Sequence, residues 1–201
     1  MNIERIIVGG LDTNCYLVSD ADAAVVIDPG DEAGKILARL GERQLAAILL
    51  THGHFDHIGG VYELKKMTGA PVYMHEADIP MVTDMSKSLG LDFGFGTTPF
   101  EVDETVSDGD ELTFGSMKFN VMHTPGHSGG GVIYAVGGVV FGGDLIFKCS
   151  IGRYDHGDFA DEMASIERVL ESFPDETVIY PGHGPETTVG YEKKYNPYIR
   201  R

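Results

Sequence analysis

Four side chains that can bind a metal fall within six residues of one short segment. They follow the apolar run 46–50, which is typical of a buried strand, and they are His52, His54, Asp56 and His57. Three imidazoles and a carboxylate this close are poorly solvated when buried, so a divalent cation is their simplest common partner. Residues 52, 54 and 56 alternate along an extended chain and can face one side, while His57 faces elsewhere, which favours two adjacent metals over one.

The segment after this cluster predicts a helix. Ile58-Gly59-Gly60 leads to Val61, Leu64 and Met67, apolar positions with helical recurrence that stops at Gly69. The positive end of that helix would lie beside the cluster. The alternative interpretation, a surface loop that is rich in histidine by chance, does not explain why a strand precedes the cluster and a helix follows it.

Composition limits the classes of partner that the chain can bind. Its 201 residues suit one sizeable domain, spanning residues 1–201, and carry a formal net charge of −16. That charge argues against nucleic acid and anionic membranes, because both are bound through lysine and arginine. No apolar run approaches about 18 residues, and the first residues lack a signal-peptide pattern. Two distant cysteines make no disulfide framework, so we expect a cytoplasmic protein.

Short β-type runs come in two blocks that are joined to helical segments. The predicted strands are residues 3–8, 15–19, 24–27, 72–74, 111–114, 118–122, 132–136, 139–142 and 177–180. Helices are predicted at 31–40, with acids in the first turn, and at 159–172. Residues 76–100 have little strand character and resemble an insertion. This order predicts an α+β fold in which two packed sheets are covered by helices.

Three later segments carry further candidate ligands, each at the end of a predicted strand. They present His127, Asp144 and His183. Taken alone, Asp144 has the alternative interpretation of an ordinary turn aspartate. His123 is better explained as a strand residue that hydrogen-bonds behind the ligands. Together the three segments supply one more imidazole for each of two metals and a carboxylate able to bridge them.

At this point the chain resembles the metallo-β-lactamase fold superfamily. The resemblance lies in seven residues in the family's order, which are His52, His54, Asp56, His57, His127, Asp144 and His183. It covers nearly the whole chain, and it implies a four-layer αββα sandwich with the site at the sheet edges. It also implies that His52, His54 and His127 hold one metal. The other metal is then held by Asp56, His57 and His183, with Asp144 bridging the two.

Within that superfamily the chain is similar to glyoxalase II, a hydroxyacylglutathione hydrolase. The similarity lies in residues 143–147, 150–153 and 181–188. Zinc β-lactamases commonly carry a cysteine where Asp144 stands, which argues against that branch. The chain ends at Arg201, without the helical extension that contributes glutathione contacts in larger glyoxalase II enzymes. The resemblance therefore implies a short, single-domain hydrolase and leaves the use of glutathione open.

The candidate ligands predict a hydrolase that activates water. Two divalent cations roughly 3.5 to 4 Å apart can share a water and lower its pKa from about 15.7 to about 7. Asp56 is the predicted catalytic residue, because it can orient that water while it binds a metal. A thiol such as cysteine has a pKa of about 8.5, so a thiolate leaves without a strong protein acid and a small-molecule thioester suits the site. Zinc is the favoured metal, and these ligands also accept iron or manganese.

Arg153 is the candidate residue for substrate binding. Its guanidinium would lie beside the Asp144 loop and could pair with a substrate carboxylate, and a surface salt bridge is the alternative. Asp155 and His156 share the Arg153 loop, and His156 is expected to face solvent. Cys149 is expected to be a packed small residue rather than a nucleophile, since activated water already fills that role.

Three phenylalanines are candidates for an apolar lid over the pocket. They are Phe93, Phe95 and Phe100, with neighbouring glycines as hinges. Ordinary core packing is the favoured alternative for the three rings. If they form a lid, replacing Phe93 and Phe95 with alanine is expected to raise the Michaelis constant and leave the melting temperature almost unchanged.

Rival functions of the same fold differ in their chemistry. A persulfide dioxygenase uses a single iron held by two histidines and an aspartate, and the chain resembles such enzymes around Gly152 and Arg153. A lactonase or other ester hydrolase is a further alternative. A nuclease is disfavoured by the acidity of the chain, and a silent binding protein is disfavoured because all seven ligand positions are filled. The oligomeric state is left open.

Overall fold

A computed structural model of the protein describes residues 1–154 and 157–199. Asp155 and His156, which the sequence places in the Arg153 loop, lie outside the described residues. None of the described helices is long and apolar enough to cross a bilayer. The prediction of one domain over residues 1–201 stays a prediction.

Most of the strands belong to two six-stranded sheets. The strands of the first sheet, in chain order and also in spatial order, are β1 (Asn2–Val8), β2 (Thr13–Ser19), β3 (Ala24–Ile27), β4 (Leu45–Leu49), β5 (Val72–His75) and β6 (Glu104–Val106). The remaining strands are β7 (Glu111–Phe114), β8 (Met117–His123), β9 (Val132–Val136), β10 (Val139–Gly143), β11 (Ile146–Phe147), β12 (Ser150–Ile151), β13 (Val178–Pro181) and β14 (Thr187–Thr188). The second sheet has the order β14-β13-β10-β9-β8-β7, and β11 pairs with β12 as a separate ribbon.

The helices follow the strands along the chain. They are α1 (Ala33–Leu40), α2 (Phe55–Ile58), α3 (Val61–Thr68), α4 (Ile79–Thr83), α5 (Gly90–Phe93), α6 (Phe159–Ser172) and α7 (Val189–Tyr195), with a 3₁₀ turn at Glu76–Asp78. The bounds of α6 agree with the prediction, and its Asp158 side chain caps the first turn by accepting hydrogen bonds from the Ala160 and Asp161 N–H groups. Residues 76–100 contain helical turns and no strand, as expected.

Three apolar clusters define the layers. The central cluster joins alternate residues of both sheets, such as Tyr16 and Val18 of β2 with Phe119 of β8 and Phe141 of β10. The intervening residues of β2 face outward into a second cluster with α1 and α3. A third cluster packs the outer face of the second sheet against α6 and α7. The predicted α+β fold, a four-layer αββα sandwich, is therefore confirmed.

Three local predictions were wrong. Residues 55–58 form helix α2 rather than extended chain, so Asp56 and His57 leave a helical turn instead of alternating along a strand. Asp31 and Glu32 precede α1 instead of occupying its first turn, because Glu32 adopts a left-handed backbone conformation with φ 48°. Met67 points to solvent, with 66% of its surface exposed, so the apolar face of α3 ends at Leu64.

Candidate metal centre

Four loops that carry the candidate ligands meet at one edge of the two sheets. Strand β9 is antiparallel to both β8 and β10, and β10 is parallel to β13, so β8, β10 and β13 run in the same direction. Their following loops therefore emerge on the same side. The loop after β4 joins them there, because the Val132 N–H donates to the Thr51 carbonyl across 2.8 Å and the Tyr134 hydroxyl donates to the Leu50 carbonyl across 3.0 Å.

The first group of candidate ligands consists of His52, His54 and His127. One nitrogen from each ring lies within 4.8 Å of the others. The Nδ1 of His54 is 2.8 Å from the Nε2 of His127, and the rings of His52 and His54 are nearly perpendicular with centroids 4.7 Å apart. Imidazoles that point their nitrogens at one small volume form the geometry that a divalent transition metal requires.

The second group consists of Asp56, His57 and His183. Their ligand atoms also lie within 4.8 Å of one another. The Oδ2 of Asp56 is 3.1 Å from the Nε2 of His183 and 3.5 Å from the Nε2 of His57. The predicted second triad is thus brought together, although Asp56 and His57 reach it from helix α2.

Asp144 lies between the two groups. Its Oδ2 is 3.7 Å from the Nε2 of His127 and 3.5 Å from the Nε2 of His183, and its Oδ1 is 3.4 Å from the Nε2 of His57. One carboxylate therefore faces a histidine of the first group and two histidines of the second. This position is the one that a bridging ligand needs.

The donor atoms of this cluster fit a pair of divalent cations. Three buried atoms that point into it, the Nε2 of His52, the Nε2 of His57 and the Oδ1 of Asp144, have no hydrogen-bond partner among the described residues. Buried polar atoms without partners are costly, and metal coordination satisfies them. All seven predicted ligands converge at this place, and their role as ligands is a proposal that rests on this geometry.

The protonation states of the cluster favour metal binding. Burial, together with the neighbouring imidazoles, lowers the pKa of His52 well below its usual value and that of His54 to about 3, so both rings are neutral donors. Burial alone would raise the pKa of Asp56, but His57 and His183 bring it down to about 2. Asp144 behaves in the same way, since His57 and other rings outweigh its burial and lower its pKa.

The second nitrogen of each of four ligand rings is held by a fixed partner. The Nδ1 of His52 is 3.0 Å from the Thr51 hydroxyl, and the Nδ1 of His57 is 3.0 Å from the Oδ2 of Asp28. The Nδ1 of His127 lies 2.6 Å from the Arg153 carbonyl, and that of His183 lies 3.1 Å from the Leu11 carbonyl. Such partners fix the ring orientation and leave Nε2 free to face the metals.

Two buried aspartates that the sequence reasoning missed support the ligand loops. Asp28 also accepts from the Thr51 N–H at 2.8 Å and from its hydroxyl at 2.6 Å. Asp78 is fully buried, and it accepts hydrogen bonds from Gly53 N, Ser128 Oγ and Gly130 N. It therefore ties the loop of His52 and His54 to the loop of His127. Asp28 follows the predicted strand 24–27 directly, just as His52 and Asp144 follow strands.

Two positions at the cluster require glycine because the backbone there lies very close to neighbouring side chains. A Cβ on Gly182 would overlap the Oδ1 of Asp144 and lie 2.6 Å from the Cε1 of His57. Gly143 has φ +50°, and a Cβ there would collide with the Thr51 side chain. These glycines let the Asp144 and His183 loops reach the ligands of the first sheet.

Glu162, on the first turn of α6, is a further buried carboxyl that the sequence reasoning missed. It is fully buried beneath Gly126, and neither of its carboxyl oxygens has a hydrogen-bond partner among the described residues. Burial raises the pKa of Glu162 to about 8, because it outweighs the lowering by the nearby His127 backbone, and the charge of Asp144 adds a smaller increase. An acid in the first turn of a helix is usually explained by its favourable interaction with the helix dipole, so nothing in the sequence distinguished Glu162 from an ordinary surface acid.

The remaining predicted residues lie around the cluster. Arg153 is exposed, and its guanidinium carbon is 5.9 Å from the centroid of the Phe93 ring. Phe93 and Phe95 are 41% and 44% exposed, so the prediction that they pack in the core was wrong. Phe100 does pack against the outer core of the first sheet.

The prediction that Cys149 is packed was also wrong, because this residue is exposed in the β11–β12 turn. His123 ends β8 as predicted, its ring stacks on His75 with centroids 4.1 Å apart, and its Nε2 lies 3.0 Å from the Gly129 carbonyl in the loop that follows His127.

Comparison with known proteins identifies the family. The sequence model of the Metallo-beta-lactamase superfamily matches residues 8–183, and the chain belongs to that superfamily. A relative from Haemophilus influenzae named hydroxyacylglutathione hydrolase GloC is 35% identical over 208 residues, covering 99% of this chain and 98% of that protein. The probable metallo-hydrolase YqgX of Bacillus subtilis is 36% identical over 206 residues, covering 99% and 98%.

Solved structures agree on the fold and differ in their named chemistry. BLEG-1 B3 metallo-beta-lactamase superposes with a TM-score of 0.92 at 38% identity, covering 98% of this chain and 99% of that one. TTHA1623 in a di-iron-bound form gives 0.88 at 40% identity, covering 97% and 99%. ETHE1 from Myxococcus xanthus gives 0.80 at 30% identity, covering 99% and 84%. The family, the relatives and the ligand cluster together support a metallo-hydrolase.

Proposed function

We propose that this protein is a metal-dependent hydrolase that cleaves a small-molecule thioester. The observation that carries the proposal is the position of Asp144 between two complete groups of ligands, each with three side chains. When bound, two divalent cations would lower the pKa of a shared water to about 7 and polarise the thioester carbonyl. Zinc is the proposed metal, and the di-iron form of TTHA1623 makes iron the first alternative.

Asp56 is the proposed catalytic residue. Its contacts with Thr13, His57 and His183 all involve Oδ2. The Oδ1 atom is therefore the one left to accept a hydrogen bond from the attacking water and to orient its lone pair toward the carbonyl carbon. Because the pKa of Asp56 is about 2, the carboxylate stays ionised and able to accept at neutral pH.

The leaving group explains the preference for a thioester. A thiolate leaves without protonation, since thiols such as cysteine have pKa values of about 8.5. An amide nitrogen needs a proton donor at the leaving atom. Glu162, whose pKa is raised, is fully buried beneath the His127 loop and is not placed to donate to a substrate. The similarity to GloC, named as a hydroxyacylglutathione hydrolase, supports the same preference.

Arg153 is the proposed anchor for the thiol part of the substrate. Its carbonyl holds His127 and its exposed guanidinium lies over Phe93, so the cation sits at the rim on the His127 side. A guanidinium pairs with a carboxylate in a bidentate geometry. We expect Arg153→Met to raise KM for a thiol that carries carboxylates, such as glutathione, and to leave KM for an uncharged thiol nearly unchanged.

The proposed function is tested by assaying one metal-analysed sample on S-lactoylglutathione and on simpler thioesters. The expected result is metal-dependent release of free thiol. Asp56→Asn is expected to lower kcat by at least about 100-fold, as loss of a positioned proton acceptor does. The matched control is Asp84→Asn, at an exposed aspartate that caps a turn away from the cluster. A fully metal-loaded protein that releases no thiol from any of these esters would contradict the proposal.

A second candidate function is persulfide dioxygenation. The resemblance to such enzymes around Gly152 and Arg153 favours it, and it implies one iron held by two histidines and an aspartate. Oxygen uptake with a glutathione persulfide, measured on an iron-loaded sample, separates the two functions. Oxygen consumption without thioester cleavage would replace the hydrolase proposal.

Two other classes of substrate should be tested in the same assay. A lactone is included because ester hydrolysis uses the same activated water. A chromogenic cephalosporin is included because of the similarity to BLEG-1, named as a B3 metallo-beta-lactamase. We expect thioester cleavage to exceed both activities, since Asp144 stands where zinc β-lactamases commonly carry a cysteine.

A further inference from the structure

A cleft lined by both polar and apolar groups opens beside Asp56. Its volume is about 70 Å³. The apolar side chains that line it are Leu11, Phe55 and Phe95. Much of the remaining surface is glycine backbone, including Gly9, Gly10, Gly30 and Gly59. A cleft with few side chains in its floor leaves room for a small group of a ligand.

The Phe95 ring forms one wall of this cleft. It stacks on Phe55, with ring centroids 5.3 Å apart and an angle of 14° between the planes. Phe55 is buried on α2 between the ligands His54 and Asp56. Although Phe95 is supported from behind in this way, 44% of its surface stays exposed. An exposed apolar face that is held rigidly beside a polar site is typical of a ligand contact.

Leu11 forms the opposite wall, in the turn between β1 and β2. Its carbonyl accepts from the Nδ1 of His183 across 3.1 Å, while 39% of its surface is exposed. A Cβ on the neighbouring Gly10 would lie 3.6 Å from the Cζ of Phe95, so the turn and the ring approach each other closely. The cleft is therefore fixed to the second group of metal ligands at both walls.

The charges around the cleft restrict what can enter it. Asp31 and Asp56 both line it. The Arg153 carbonyl contacts His127 of the first group, and its guanidinium lies over Phe93, a ring that is not part of the cleft lining. A negatively charged group in the cleft would be repelled by Asp31, which is not one of the proposed metal ligands, whereas a neutral apolar group would bury surface against Phe95 and Leu11.

We infer that this cleft binds the acyl chain of the substrate and selects short, neutral, apolar acyl groups. The inference rests on the proposed thioester hydrolysis. The two substituents of a thioester carbonyl point in different directions, so a thiol directed toward Arg153 leaves the acyl chain directed toward Phe95 and Leu11. The volume of the cleft suits a chain of three or four carbons better than a long fatty acyl chain.

The experiment compares acyl groups on one thiol. The panel contains acetyl, propionyl, butyryl and hexanoyl thioesters, together with a four-carbon acyl group that ends in a carboxylate. For the wild-type protein, kcat/KM is expected to rise about fourfold with each methylene from acetyl to butyryl, as burial of a methylene predicts. It should level off at hexanoyl, and the carboxylate-ended substrate should fall at least about tenfold below butyryl.

Two variants test the walls of the cleft. Phe95→Ala and Leu11→Ala are each expected to reduce the butyryl-to-acetyl ratio of kcat/KM from about 16 to below about 4. Met67→Ala is the matched control, because Met67 is a large exposed apolar residue on α3. Its ratio should equal that of the wild-type protein. Thermal melts check that each variant is folded.

A second measurement needs no variant. Acetate, propionate and butyrate resemble the acid product, and their inhibition constants for the wild-type protein should fall about fourfold per methylene. A flat acyl series in both measurements overturns the inference and leaves thioester hydrolysis intact. A uniform rise in KM for all acyl groups in Phe95→Ala indicates a lid and also overturns it. If no thioester in the panel is cleaved, both the inference and the proposed function fail.

Discussion

The Thr13 hydroxyl donates a 2.9 Å hydrogen bond to the Oδ2 of Asp56. Thr13 begins strand β2, is almost fully buried, and pairs through an isolated β-bridge with His183. Because a carboxylate only accepts, the hydroxyl proton is committed to Asp56. This contact fixes the carboxylate so that Oδ2 faces His57 and His183 while Oδ1 faces away from Thr13. A buried threonine in a strand gives no sign of this role in the sequence.

Replacing Thr13 with valine tests this contact. The two side chains have similar volume, but valine has no donor, so Asp56 loses its fixed orientation. We expect kcat for a thioester to fall by about 10- to 100-fold, the usual cost of losing a partner of a metal ligand, while KM changes little. Thr13→Ser restores the donor and should recover most of the activity. A Thr13→Val protein that melts earlier but keeps its kcat would assign Thr13 a purely structural role.

Asp28 is expected to control the occupancy of the second metal position. In Asp28→Asn, an amide that keeps its bond from the Thr51 N–H presents an NH₂ group to the Nδ1 of His57. The imidazole would then carry its proton on Nε2, the atom that faces the cluster. We expect metal affinity to fall by about 10- to 100-fold at that position. Titration with a chelator measures it, and an unchanged titration curve would show that Asp28 does not set the His57 tautomer.

Asp78 is expected to be important for stability as well as for the site. Asp78→Ala leaves the Gly53 and Gly130 N–H groups and the Ser128 hydroxyl without their buried acceptor. At about 1 to 3 kcal/mol for each of the three unsatisfied groups, the free energy of unfolding should fall by about 3 to 9 kcal/mol. Asp84→Ala, at an exposed turn, is the control and should cost less than about 1 kcal/mol. Chemical denaturation measures both, and equal losses would contradict the prediction.

The raised pKa of Glu162 is expected to make the free energy of unfolding of the metal-free protein depend on pH. Its pKa is about 8 in the fold, against 4.5 as the ordinary value. Because the folded protein holds this proton more tightly, the stabilisation is complete below pH 4.5 and is lost as the pH rises through about 8. Glu162→Gln removes this term, so the stability difference between the two proteins should change by at most about 5 kcal/mol over that range.

The matched control for Glu162 is Glu171→Gln, at an exposed position on the same helix. Its stability should follow that of the wild-type protein across the whole pH range. Parallel stability curves for the wild-type and Glu162→Gln proteins would show instead that the buried carboxyl binds its proton with ordinary affinity.

The convergence of the candidate ligands could be predicted because two independent signals coincide at four of them. An apolar strand ends, and a histidine or aspartate follows among glycines, as at His52, His127, Asp144 and His183. Parallel strands bring such ends together, so convergence could be expected without coordinates. The two-sheet architecture was predictable for a related reason, because short alternating runs in two blocks have few other ways to bury their apolar faces.

The parts that the sequence did not predict lack such a pattern. Helix α2 has only four residues, which are too few to show helical periodicity. The predicted extended chain from His54 to His57 was therefore wrong. Asp78 follows a short strand in a segment without regular recurrence, and its three hydrogen bonds come from distant loops. Phe95 stays exposed because Phe55 and the β1–β2 turn hold it, which is a tertiary effect that hydrophobicity along the chain does not reveal.

The metal content of the purified protein, measured together with its turnover, is the decisive test of the proposed two-metal site. We expect about two divalent ions per chain in the wild-type protein and about one in His183→Ala, with activity lost in parallel and lost completely on chelation. One ion per chain that persists in His183→Ala, or full turnover by a folded protein stripped of metal, would contradict it.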